Sequence, residues 1–308
     1  LGSRGLGDVY KRQIFTLDPR DIRLTLNGFP LYGTDSYGCE WHVTFQNVSG
    51  LFDGVGSTLQ TKDKAWSDGW FSNIPVAQGR SISVEGHIIG KCTENCINAW
   101  DAFKCSFNIT SQSLVVELGN ISRQVQVMQS SSAPLVEWAG VNILKFSIGL
   151  TALDSYLYDT QSVSGKTGLP HTQGGLTFPY HFEDIDTGKG STWVWSEATV
   201  SGSVLLTNTG SAPSPVTIRI DGPVVNPQVE HSPSGHIMAF DLSLGEGHYI
   251  LINGATHEIL IDGTDPARGS VTRREWSYAE VGKNIWMFSA EKPSDNAWMT
   301  VTFNPAYI

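Results

Sequence analysis

Short runs in which apolar and polar residues alternate, separated by turn signals, constrain this chain more than any other feature. Val216, Ile218 and Ile220 alternate with Thr217 and Arg219, and Met238, Phe240, Leu242 and Leu244 alternate with Ala239, Asp241 and Ser243. A period of two puts every second side chain on one face, so each run reads as a strand with one buried and one wet face. The start of the chain repeats the pattern. Ile22, Leu24 and Leu26 alternate with Arg23 and Thr25 before Asn27-Gly28, a pair suited to a tight hairpin. Trp41, Val43 and Phe45, then Ile82 and Val84 in a strand ending at Gly86, then Leu114–Leu118, Gln124–Met128 and Leu144–Leu150 continue it. Further on, Gly245-Glu246-Gly247 turns the chain into Tyr249–Ile252. Asn253-Gly254 is expected as a type I′ turn, and Glu258–Ile261 returns as the next strand of a meander. Trp286 and Phe288, with Met299, Val301 and Phe303, close this half as a jelly-roll type sandwich.

Only one stretch has helical spacing. From about Thr93, read as the N-cap, to Lys104, residues Cys96, Ile97, Trp100 and Phe103 recur on one face. The composition agrees with an all-β chain: charged residues are only 16% and glycines number 32 in 308 residues. That length suits two domains, each able to bury its own core. We place the first at 14–159, a linker rich in Ser, Gly, Thr and Pro at 160–175, and the second at 176–308. Residues 1–13 are set apart: Ser3 to Gln13 (SRGLGDVYKRQ) reads like a translated sequencing adapter, so native sequence is expected from Ile14.

The formal charge of −10 argues against a nucleic-acid partner, since such binding rests on cationic neutralisation of phosphates. No run of about 18 apolar residues suggests a membrane span. Cys39, Cys92, Cys96 and Cys105 are read as buried, reduced core residues, with disulfides or a metal as alternatives, because C-x3-C-x8-C is not a zinc-ribbon spacing. Sequons at Asn47, Asn108 and Asn120 are of the number chance gives.

The order of several short segments resembles the distal tail protein family of siphophages, the phage minor tail proteins. Those segments are Leu24-Thr25-Leu26-Asn27-Gly28, Gly79 to Gly86 (GRSISVEG), the strand IGLTALD ending at Asp154, Gly174 to Pro179 (GGLTFP) and the closing TVTFNPAY. The resemblance covers nearly all of Ile22 to Ile308. It implies an N-terminal split β-barrel with one short helix, usually assembled as a six-fold ring continuing the tail-tube bore. It also implies a C-terminal galectin-like or carbohydrate-module-like sandwich. The expected location is the virion tail tip, after assembly in the host cytoplasm. Expected partners are further copies of the chain, the tail-tube protein, other tail-tip proteins and host surface glycans.

Motifs for catalysis are missing. Gly165-Lys166-Thr167 resembles the end of a phosphate loop, but Thr160 stands where that loop needs glycine. No G-x-S-x-G elbow or H-E-x-x-H pair occurs. Glu183, Asp184 and Asp186, or Asp262 and Asp265, offer carboxylates for Ca²⁺ or glycoside chemistry, but loops of sandwiches are commonly acidic. We therefore expect no enzyme and no cofactor. Trp66, Trp70, Phe71 and Arg80 are the candidate oligomer interface, because aromatic and Arg anchors are enriched at such contacts. Trp193 and Trp195, two apart on one strand, are a candidate glycan-stacking face, with burial in the core as the stronger reading. The rival is a glycan-binding adhesin or carbohydrate-binding module; a secreted glycosidase is a third reading.

Overall fold

A computed structural model describes residues 22–107, 109–130, 132–170, 202–292 and 294–308. The segment 1–13, Asn108, Gly174–Pro179, the acidic cluster after His181, and Trp193 and Trp195 lie outside the described residues. The chain is all-β with one helix among the described residues, and it divides into two compact units. The first runs to Thr160 and takes back Tyr307–Ile308; the second is Gln161–Ala306.

The first unit is one large antiparallel sheet built around two ten-residue strands, Arg80–Ile89 and Ile143–Ala152, paired along their whole length. Their inward residues include Ile82, Val84, Ile88, Leu144, Phe146, Ile148 and Leu150, all buried. On its other edge, Ile143–Ala152 pairs first with Leu135–Gly140 and then, at Leu150–Ala152, with the end of Ile121–Gln129. This exchange of neighbours splits the barrel. Ile121–Gln129 leads on to Gln112–Leu118 and Arg23–Leu26. The Asn27-Gly28 turn holds both residues at positive φ, 49° and 82°, as a type I′ turn requires.

Gly86 does not end its strand, contrary to the sequence expectation. It lies opposite Phe146, and a Cβ there would stand 2.7 Å from Phe146 Cε1 and 2.8 Å from the His42 carbonyl oxygen. The glycine admits the Phe146 ring into a cluster with Trp41 and Trp100; Phe29 and Phe103 join it through Trp41. The helix spans Thr93–Ser106 and buries Cys96, Ala99, Trp100 and Phe103. Ile97, expected inward, is exposed. Cys92 is the N-cap, while Thr93 donates its hydroxyl to Asn142 Oδ1.

The second unit is a sandwich of two antiparallel sheets. One orders Val163–Gly168, Trp298–Phe303, Thr217–Asp221, Tyr249–Asn253, Glu258–Ile261 and Asp265–Pro266; the other orders Ser203–Asn208, Gly282–Ser289, Gln228–Ser232, His236–Phe240 and Val271–Arg274. Their inner faces supply Ile218, Ile220, Ile250, Ile252, Met299 and Val301 against Val204, Leu206, Val229, Met238, Trp286 and Phe288.

Three expectations need correction here. Val163–Gly168 is an edge strand of the sandwich, although its composition suggested linker; Gly165 sits there because Val204 and Leu206 pack where its Cβ would be. The same pairing places Gly165-Lys166-Thr167 in a strand, with Lys166 over the Trp298 ring. The expected meander is interrupted, since His236–Phe240 and Tyr249–Asn253 belong to opposite sheets and the Gly245–Gly247 turn carries the chain between them. Finally, Asn253 pairs with Glu258, so the loop is 254–257: Asn253 Oδ1 accepts from the amides of Ala255 and Thr256, and His257 takes the positive φ. Gly254 is required by close approach to the Val216 backbone, whose oxygen accepts its amide at 2.8 Å.

Candidate functional site: an exposed aromatic hairpin

Between Leu51 and Arg80 the first unit extends a hairpin away from its core. Ser57–Thr58 pairs with Val76–Ala77, and Thr61–Asp63 with Trp70–Ser72. Bonds from Gln78 N to Gly56 O (2.8 Å), Asn73 N to Gln60 O (3.1 Å) and Lys64 N to Gly69 O (3.2 Å) continue the ladder to the tip. Every residue from Gly56 to Gly79 is exposed except Lys64, which is half-buried. A two-stranded ladder without a third layer has nowhere to bury side chains, which explains the pattern.

The exposed residues are unusual for such a segment. Trp66 at the tip is 99% exposed, Trp70 69%, Phe71 63% and Ile74 87%; Leu59 and Val76 are exposed as well. Among the described residues, Lys64 lies 5.7 Å above the Phe71 ring. Contiguous exposed apolar side chains of this kind mark contact surfaces. Sequence reasoning picked out these three by aromatic density in a polar stretch, but missed Leu59, Ile74 and Val76.

Arg80 is a correction. It is 5% exposed and points inward at the root of the hairpin. Its Nε donates to Ser155 O at 2.7 Å, and Nη1 donates to Asp53 O at 2.6 Å, Leu51 O at 3.3 Å and Gly50 O at 3.4 Å. Burial lowers its pKa, and Asp53 and Asp154 partly oppose that shift. The guanidinium is an internal clamp tying both ends of the hairpin to the turn after Ala152, not an interface anchor.

Two other surfaces of the first unit are apolar. Leu135–Gly140 is exposed along its whole length, including Leu135, Val136 and Trp138, and among the described residues pairs only with Ile143–Ala152. A groove of about 240 Å³ is lined by residues including Phe52, Leu118, Ile121, Leu157 and Tyr307; Arg123 lies 3.4 Å over the Tyr307 ring and pairs with Asp159 at 3.3 Å.

The remaining candidates do not converge on chemistry. Asp262 is occupied by its own turn, accepting from Tyr249 N at 3.0 Å and pairing with His248 at 2.7 Å, and these contacts lower its pKa. No group of three or more metal-ligating side chains meets among the described residues. No helix among them is long and apolar enough to cross a membrane. Cys39 and Cys96 are buried as expected; Cys92 and Cys105 are exposed, which corrects the reading of all four as core residues.

Residues 209–307, all but the last within the second unit, match the family model described as siphovirus-type tail component, C-terminal domain. The fold of the whole chain is similar to that of the SPP1 Dit (gp 19.1) protein, a hub of the adsorption apparatus in phages infecting Gram-positive bacteria. The TM-score is 0.62 at 11% identity over 93% of this chain and 99% of that one. A chain of the phage p2 baseplate in its activated conformation matches at TM-score 0.49 and 13% identity, over 91% and 97%. No curated protein sequence matches.

Proposed function

We propose that this protein is a non-enzymatic structural component of a siphophage tail tip. Its first unit self-assembles into a ring, about six-fold, joining the tail tube to the tail-tip complex, and its second presents a sandwich to partner proteins or cell-surface glycans. The observation that carries this reading is the hairpin, which leaves Trp66, Trp70, Phe71 and Ile74 more than 60% exposed. A closed ring needs head-to-tail contact between two different patches. The hairpin, the Leu135–Gly140 edge and the Phe52–Tyr307 groove supply distinct patches on one unit. Similarity to a hub protein and the tail-component model over residues 209–307 support the same reading.

Replacing Trp70 with Ala tests it, because that side chain is 69% exposed. Assemblies shift toward monomer while the circular dichroism spectrum stays unchanged; an unaltered assembly removes the hairpin from the interface. The rival glycan-binding reading predicts sugar-specific binding by the isolated monomer on a glycan array.

A further inference from the structure

At the N-terminal end of the helix two buried thiols meet, with the exposed Cys92 one helical turn away. A Cβ built on Gly90 would stand 2.5 Å from Cys96 Sγ and 3.0 Å from Cys39 Sγ, so both sulfurs converge on the space that this glycine leaves open. Both side chains are 0% exposed and neither is bonded to another sulfur. The backbone is fixed on both sides. Cys39 precedes the Glu40–His42 strand, which pairs with Ile89 to His87, and its amide is held by Asp35 Oδ1 at 2.9 Å. Cys96 sits in the first turn of the helix, its thiol directed at Asn142 O at 3.3 Å. Cys92, one helical turn earlier, is exposed.

We propose that Cys39 and Cys96 are a redox-active pair that closes to a disulfide when the protein leaves a reducing environment, with Cys92 as the thiol that an external disulfide reaches first. In the first step the Cys92 thiolate attacks a small-molecule disulfide RSSR, giving Cys92–S–S–R and one RSH. Cys96 then displaces the second RSH and bonds to Cys92. Cys39 attacks the Cys96 sulfur and releases Cys92 as a thiol. The sum is two protein thiols plus RSSR giving one protein disulfide plus two RSH, so two electrons pass to RSSR and both protons leave on RSH. Burial, Asp35 and Cys96 push the Cys39 thiol up to about 12. Direct attack by Cys39 on a solvent oxidant is therefore slow, and the relay starts at Cys92 because it alone of the three is exposed.

The bond would join residues flanking the exposed hairpin, closing the loop of residues 40–95 that contains it and thereby removing denatured-state freedom from the segment proposed to contact a neighbouring copy. That functional meaning rests on the tail-tip reading; the bond itself does not.

The test uses the full chain purified under reducing conditions, then exposed to oxidised glutathione, quenched with an alkylating reagent and mapped by mass spectrometry without reduction. The expected product is a linked Cys39–Cys96 peptide, with glutathione on Cys105 as the marker of simple surface exposure. The Tm is expected to rise by about 5–10 °C and to fall back on adding dithiothreitol. Cys92→Ser should slow linkage at least tenfold while giving the same final bond, and Cys39→Ser should remove both bond and Tm shift. A wild-type map showing glutathione on Cys92 and Cys105 but no linked peptide overturns the proposal, and unchanged kinetics in Cys92→Ser overturns the relay. Linkage in a chain that light scattering shows to be monomeric upholds the pair and counts against the ring, so the two ideas fail separately.

Discussion

Replacing Arg80 with Met separates the two roles this residue could have. As an internal clamp, its Nε and Nη1 satisfy four backbone carbonyls, with the contacts to Ser155 O at 2.7 Å and Asp53 O at 2.6 Å the strongest. Met keeps the apolar stem but leaves those acceptors unpaired at a cost of about 1–3 kcal/mol for each that stays buried. Removing a buried charge returns part of that, because a guanidinium without a carboxylate partner at contact distance carries its own desolvation cost. Nη2, which finds no hydrogen-bond partner among the described residues, adds to the return. The net loss expected is about 2–4 kcal/mol in the first unit, a fall of roughly 1–2 M in its urea midpoint with unchanged slope. Arg80→Lys should lose less, since an ammonium keeps the charge but cannot reach both sides of the clamp. The assay is urea unfolding followed by tryptophan fluorescence. A first-unit midpoint unchanged within about 0.3 M, together with loss of the assembled form, would return Arg80 to the interface and refute the clamp.

Gly86→Ala should destabilise the first unit by about 1–3 kcal/mol, since the new methyl group meets the Phe146 ring and the His42 carbonyl; thermal melting checks it. Trp66→Ala should change stability by no more than about 0.5 kcal/mol, because the side chain is 99% exposed, yet weaken assembly; sedimentation velocity reads the second effect. His231 should make the sandwich acid-sensitive: it is buried against Trp286, with Nε2 donating to Asn284 Oδ1 at 3.0 Å, and burial lowers its pKa. A depressed folded-state pKa means the unfolded chain takes the proton first, so the stability from neutral His231 is complete above about pH 6.5 and declines as pH falls below it. Melting the second unit between pH 7.5 and 5 tests this, and His231→Gln should flatten the dependence.

Much of this fold was legible in the sequence because one buried face imposes a period of two. The strands from Thr217, Tyr249, Glu258, Gly282 and Trp298 lie where alternation put them. Alternation was silent where no face is buried: Leu135–Gly140, exposed throughout, escaped notice, and Val163–Gly168 looked like linker because its small residues pack by closeness of backbone and not by side-chain bulk. Nor does a period of two say which sheet a strand joins, so the crossing at Gly245–Gly247 was read as a continuing meander. At the site, Trp66, Trp70 and Phe71 stood out as aromatics without an apolar pattern around them. Arg80 beside them was indistinguishable from an interface arginine, because its four acceptors come from Gly50, Leu51, Asp53 and Ser155, distant in sequence and all backbone.

The most direct measurement is the mass of the purified chain in solution by size-exclusion chromatography with light scattering, followed by negative-stain imaging of any large species. The account predicts a closed ring of about six subunits with a central hole. A monodisperse monomer across the whole accessible concentration range would contradict it.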